Sequence, residues 1–114
     1  MAAKTPRRRP DPLLHWLGMG RRAGHLVVGV DAVRDALQQD RAACVVLAVD
    51  ASPRARERVV RLARGKGIPL LSGPATEALG RGLGLSGVMA VAVADRSLAD
   101  GLLSSGAAAP WTED

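Results

Sequence analysis

Asp50 and Asp95 each close an apolar run, "CVVLAV" before the first and "VMAVAVA" before the second. Two carboxylates at matched strand ends could exchange a proton with a substrate or hold Mg²⁺. An aspartate at such a place more often caps a helix or makes a turn. His15, His25 and Cys44 share no ligand spacing, so no metal site is expected. Cys44 opens an apolar run and reads as a small buried hydrophobe. Gly82, Gly84 and Gly87 spell G-x-G-x-x-G. A dinucleotide fingerprint follows a strand and opens a helix, whereas these glycines follow a helix and precede a strand. No enzymatic activity and no cofactor are expected.

The elements that position these residues alternate. Asp11-Pro12 starts a helix with Leu13, Leu14, Trp16 and Leu17 at helical spacing, and Gly24 stops it. "HLVV" is a short strand. After Gly29, the stripe Val33, Ala36, Leu37 predicts a helix to about Gln39. Cys44 to Val49 reads as a central strand, and Ser52-Pro53 opens a helix that ends at Gly65 or Gly67. "IPLLS", "ATEALGRGLG", "VMAVAVA" and "SLADGLL" then read as strand, helix, strand and helix. This order predicts an α/β fold, a three-layer α/β/α sandwich. Residues 11–104 form its single domain, between a basic disordered tail at 1–10 and a flexible tail at 105–114.

Composition narrows the function. The chain has 114 residues, the length of one domain, and no apolar run that would span a bilayer. The start of the chain lacks the apolar stretch of a secretory signal, so a cytoplasmic location is expected. Net charge is +5, and Lys4, Arg7, Arg8 and Arg9 carry +4 of it. A basic tail on a mildly basic body suits a polyanion, although the 14 Arg to 2 Lys usage also fits GC-rich coding. Trp16 and Trp111 are the only aromatic residues. That excludes a platform that stacks single-stranded bases. RNA would have to be held through backbone groups, arginines, short polar side chains and shape.

"RRAGHLVVGVDAVRDAL", "CVVLAVDAS", "GIPLL", "EALGRGLG" and "VMAVAVAD" occur in that order and spacing from about Leu13 to Leu103. Together they resemble the kink-turn-binding ribosomal protein family of the L-seven-Ae type, above all its small bacterial members. The resemblance implies a four-stranded mixed sheet and recognition of RNA helices kinked at tandem sheared G·A pairs. It places the RNA surface at Gly29 and the helix start after it, with the loop Leu85, Ser86, Gly87, Val88 alongside. The basic position in the fourth helix falls on Arg81. Three positions depart from the family pattern. Asp31 stands for an asparagine, Ala32 for a glutamate and Asp35 for a lysine.

The residues themselves fit such a surface. Gly29 lets a backbone approach closely and tolerates positive φ. The N–H groups that follow, from Val30 on, are free donors at the positive end of a helix. Arg21, Arg22, Arg34 and Arg81 could neutralise phosphates, and His25 lies at the strand entrance. An ionised Asp31 can only accept, for instance from a guanine amino or imino group. It could equally be a first-turn acid in the helix dipole. Asp35 would repel a phosphate. Arg54, Arg58 and Arg61 read as a solvated helix face. The expectation is a monomeric, cytoplasmic RNA-binding protein of the ribosomal type. Its partner is a kink-turn or ribosomal RNA, with the ribosome as a candidate assembly and no membrane. Two other readings are weighed: a protein-interaction or general basic RNA-binding module that kept the fold but lost kink-turn specificity, and RNA binding by the tail alone.

Overall fold

The computed structural model describes residues 11–112. The basic segment 1–10 lies outside the described residues, as do residues 113–114. Five helices alternate with four strands in chain order: α1 (Pro12–Arg22), β1 (Leu26–Val28), α2 (Val30–Gln38), β2 (Cys44–Ala48), α3 (Pro53–Gly65), β3 (Leu70–Gly73), α4 (Thr76–Gly82), β4 (Ala90–Val93) and α5 (Arg96–Ser105). The strand order is β1-β4-β2-β3. β4 runs antiparallel to both β1 and β2, with Val93 opposite Leu26 on one side and Cys44 on the other. β2 and β3 are parallel, with Val45 opposite Leu70. The sheet is therefore mixed, as the resemblance implies.

Helices cover both faces. α2 packs beside α3, while α1 packs against α4 and α5. Every residue of β2 and β4 is buried in consequence, which is why their sequences run apolar without alternation. Leu17, Val33, Leu37, Leu47, Leu79 and Leu102 carry helix and strand contacts into this core. Gly101 in α5 makes room for the Trp16 ring, since a Cβ there would lie 2.7 Å from it.

Helix ends follow the sequence signals. Asp11, Ser52 and Asp95 each accept a hydrogen bond from the first turn they precede, at 2.9, 3.1 and 2.8 Å. Asp95 is thus a helix cap. Gly24, Gly67 and Gly84 take positive φ just past their helices. At each, the next residue's N–H reaches back to the last turn, as in Ile68 N–H to the Ala63 carbonyl at 2.8 Å. The G-x-G-x-x-G of the sequence is therefore the end of α4. Gly67, rather than Gly65, terminates α3.

The segment after α5 differs from expectation. The expected flexible tail at 105–114 is tied down where it is described: Ala109 accepts from Ser72 N–H at 2.8 Å and Trp111 N–H donates to the Leu70 carbonyl at 2.9 Å. Pro110 bridges Leu71 in antiparallel fashion. The open edge of β3 presents unpaired backbone groups, and this segment satisfies them. Ala107, Ala108 and Trp111 add apolar contact with the core. Pro110 is compatible with the pairing because the bonds use its neighbours' groups.

Asp50 also caps a helix, but in trans. α4 begins after Ala75, which offers no capping side chain. Asp50, arriving from the end of β2, accepts from both the Thr76 hydroxyl and the Thr76 N–H at 2.7 Å. The hydroxyl bond first, and then the N–H bond, hold its carboxyl below the usual carboxylate range. A depressed folded value contributes stability above the unfolded pKa and loses it as pH falls through the folded one. Acidification from pH 6 to roughly pH 3 is thus expected to lower the thermal midpoint of the wild type more than that of Asp50→Asn. Parallel pH profiles of the two proteins would contradict the assignment.

Candidate nucleic-acid interface

β1 and β2 point the same way, because both are antiparallel to β4. Their carboxyl ends, the carboxyl end of β3 and the start of β4 therefore share one end of the sheet. At this end a shallow groove of about 670 Å³ opens. Val28, Gly29 and Val30 form one wall, Leu85 to Val88 form the other, and Thr76 and Met89 complete the lining. Two segments some 55 residues apart in sequence are thus brought face to face.

Gly29 is the N-cap of α2, with φ 104° and ψ 150°. A Cβ there would meet nothing within 4 Å, so backbone conformation rather than crowding calls for glycine. Its own N–H donates to the Ala90 carbonyl at 2.8 Å, which ties the turn to β4. No side chain caps α2. The N–H groups of its first turn are left as donors at the positive end of the helix dipole.

The opposite wall depends on a second glycine for a different reason. A Cβ on Gly80 would overlap the Ser86 carbonyl oxygen and come within 2.6 Å of the Ser86 carbonyl carbon. Gly84, at φ 73°, reverses the chain, and Leu85 N–H donates to the Gly80 carbonyl at 2.8 Å. The loop is folded down onto α4 as a result, with Leu85 38% exposed at the groove. Val88 corrects an expectation. It lines the groove, but its side chain is only 6% exposed and belongs to the core, and its N–H donates to the Thr76 carbonyl at 3.1 Å. Val88 anchors the loop from within the core rather than presenting its side chain to RNA.

Other predicted residues are distributed unevenly. Asp31 lies in the first turn of α2, exposed, and its Oδ1 accepts from Arg58 Nη1 at 3.1 Å. Arg58 therefore reaches across from α3 to α2 and is more than part of a solvated face. Both side chains keep contact with solvent, so the pair contributes at most about 1 kcal/mol to stability. It compensates charge more than it holds the fold. Arg34 is half-buried one turn further along α2. Arg81 is exposed beside the loop and pairs with Glu77 at 2.7 Å. Arg22 and His25 are not brought to the groove. They precede β1, at the far end of the sheet, where the His25 carbonyl accepts from Ala94 N–H at 2.8 Å. Position in the sequence near Gly29 hid this, because β1 carries the chain across the sheet between them.

Several residues of this end escape sequence reading. Thr76, Met89 and Arg58 carry no local signal. Gly80 does, as a glycine inside a helical pattern that signals either weakness or close approach. Val49 is 59% exposed just past β2. Cys44 is fully buried, and burial first, then the Asp100 charge, pushes its thiol up to about 11. It stays protonated and chemically quiet. Among the described residues no group of three or more His, Cys, Asp or Glu side chains could hold a metal ion.

The sequence matches the family described as Ribosomal protein L7Ae/L30e/S12e/Gadd45 over residues 12–102. The chain belongs to this family. Membership in the L7Ae/L30e/S12e/Gadd45 family places the protein in an RNA-binding, ribosomal-type class. A solved structure described as a protein with unknown function from Bacillus halodurans C has the same fold, with a TM-score of 0.77 and 24% identity. The match covers 82% of this chain and 95% of that one. At that identity the likeness is one of fold. Comparison with curated protein sequences gives no match. Among the described residues no helix is long and apolar enough to cross a membrane.

Gly80→Ala is expected to destabilise the protein by about 1–3 kcal/mol in chemical denaturation, because backbone must move to admit the methyl group. Amide shifts of residues 85–87 should move with it. An unchanged loop and unchanged stability would show that the approach of Ser86 to α4 is not tight.

Proposed function

We propose that the chain recognises a sharply kinked, kink-turn-like RNA helix in a ribosomal or regulatory RNA, through the groove between Gly29 and the loop 85–87. The observation that carries this reading is the convergence of an uncapped helix start and an exposed Leu85 in one groove. A regular A-form duplex presents a major groove too narrow for a protein helix, whereas a kink opens it. In this account the Val30–Ala32 N–H groups meet phosphate or base acceptors. Asp31 accepts from a guanine amino or imino group, and Leu85, with Ser86 and Gly87, contacts an extruded base. Arg34 and Arg81 neutralise phosphate. The protein acts as a cytoplasmic monomer within a ribonucleoprotein, the ribosome being one candidate.

A second reading is favoured by α2 itself. Asp35 is exposed and Ala32 carries no polar group, so base readout and phosphate attraction are both weaker than the family pattern implies. A protein that kept the fold but lost kink-turn specificity would show the same two residues.

Calorimetry or gel shift against a kink-turn RNA and an unkinked duplex of equal length separates the readings. Kink-turn recognition predicts at least about tenfold tighter binding to the kinked RNA, or some 1.4 kcal/mol. Asp35→Lys should tighten it further by relieving a like-charge contact. Equal, weak binding to both RNAs would overturn the specific reading and leave a general basic binder.

A further inference from the structure

We propose that the outer face of α3 is a second contact surface for the same RNA, holding the phosphate backbone of one of its stems. The inference rests on the groove being the RNA site and extends that site along the domain.

α2 follows β1 and α3 follows β2, and those strands point the same way. The two helices therefore lie side by side with both N-termini at the groove end. They pack directly against each other, and two surface ion pairs span the seam. Arg58 reaches Asp31 near the groove, and Lys66 reaches Asp40 at 2.9 Å at the other end. α3 is thus a fixed extension of the α2 wall.

Its outward surface is basic. Arg54, Arg58, Arg61 and Arg64 recur at helical spacing opposite the buried Ala55, Val59 and Ala63. Arg54, Arg61 and Arg64 are all exposed. Glu57 lies on the same face and offsets one of these charges. The Arg58 guanidinium joins this basic face to Asp31 at the groove mouth. From Arg54 to Arg64 the face runs about 15 Å along the helix. An RNA stem leaving the groove along this side would meet three guanidiniums in sequence. No aromatic residue stands among them to stack a base, so the chemistry is that of phosphate and independent of sequence.

The test uses the full chain and a triple variant, Arg54→Gln, Arg61→Gln, Arg64→Gln, which leaves the Arg58–Asp31 pair in place. Affinity for a kink-turn RNA is measured from 50 to 200 mM salt, once with a long stem and once with that stem cut back. Three lost phosphate contacts should reduce the slope of log K against log salt by about 2.7, so that over this range wild-type affinity falls roughly 40-fold more than that of the variant. With the short stem the two proteins should show the same slope. An unchanged slope on the long stem overturns the proposal and leaves α3 to solvent or an acidic protein partner. An equal reduction on both stems also overturns it, because the arginines would then act without a stem to hold. Failure of the wild type to distinguish kinked from unkinked RNA is a separate result and would instead remove the groove reading.

Discussion

A missing side chain at Gly80 is the constraint on which the candidate site depends. Without a Cβ there, the backbone of Ser86 passes directly against α4. The loop then lies opposite Gly29 instead of standing away from it. Other contacts hold this arrangement from both ends. Asp50 caps the start of α4 through Thr76, Gly84 ends the helix, and Val88 is sunk in the core. Sites on rigidly supported segments hold geometry better than sites on free loops. Here the loop has little freedom, although it carries no regular structure.

The two glycines of the groove show that one residue type can answer two different demands. Gly80 is required by space, whereas Gly29 is required by backbone conformation with open space around it. Open space at Gly29 is what a partner needs to approach a helix start closely. Charge follows a parallel logic. An aspartate in the first turn of α2 is favourable to the helix but unwelcome near phosphate. Arg58 offsets that charge across the α2–α3 seam. The same seam joins the groove to the basic face of α3, so packing of the two helices sets the electrostatics of the site.

Much of the fold was legible because local signals and burial agree. The apolar runs of β2 and β4 are covered on both faces, and the Asp11-Pro12, Ser52-Pro53 and Gly24 signals sit at real helix ends. The segment 107–111 was not legible, since its pairing with β3 depends on an edge formed elsewhere in the chain. The site was legible in part. Gly29 and the loop 85–87 were identified with its two walls, but through family resemblance more than through residue chemistry. Arg22 and His25 were misplaced because nearness in sequence does not survive a strand crossing the sheet. Arg58 and Thr76 were missed because only tertiary packing gives them neighbours at the groove.

The proposed grip on RNA lies at the carboxyl end of β1 and in the loop that precedes β4. Titration of the ¹⁵N-labelled protein with a kink-turn RNA tests it most directly, read as backbone amide shift changes. The largest changes are expected at residues 29–32 and 85–87, with little change at residues 23–25 and 41–43 at the opposite end of the sheet. Changes concentrated at that opposite end, with the groove amides unmoved, would contradict it.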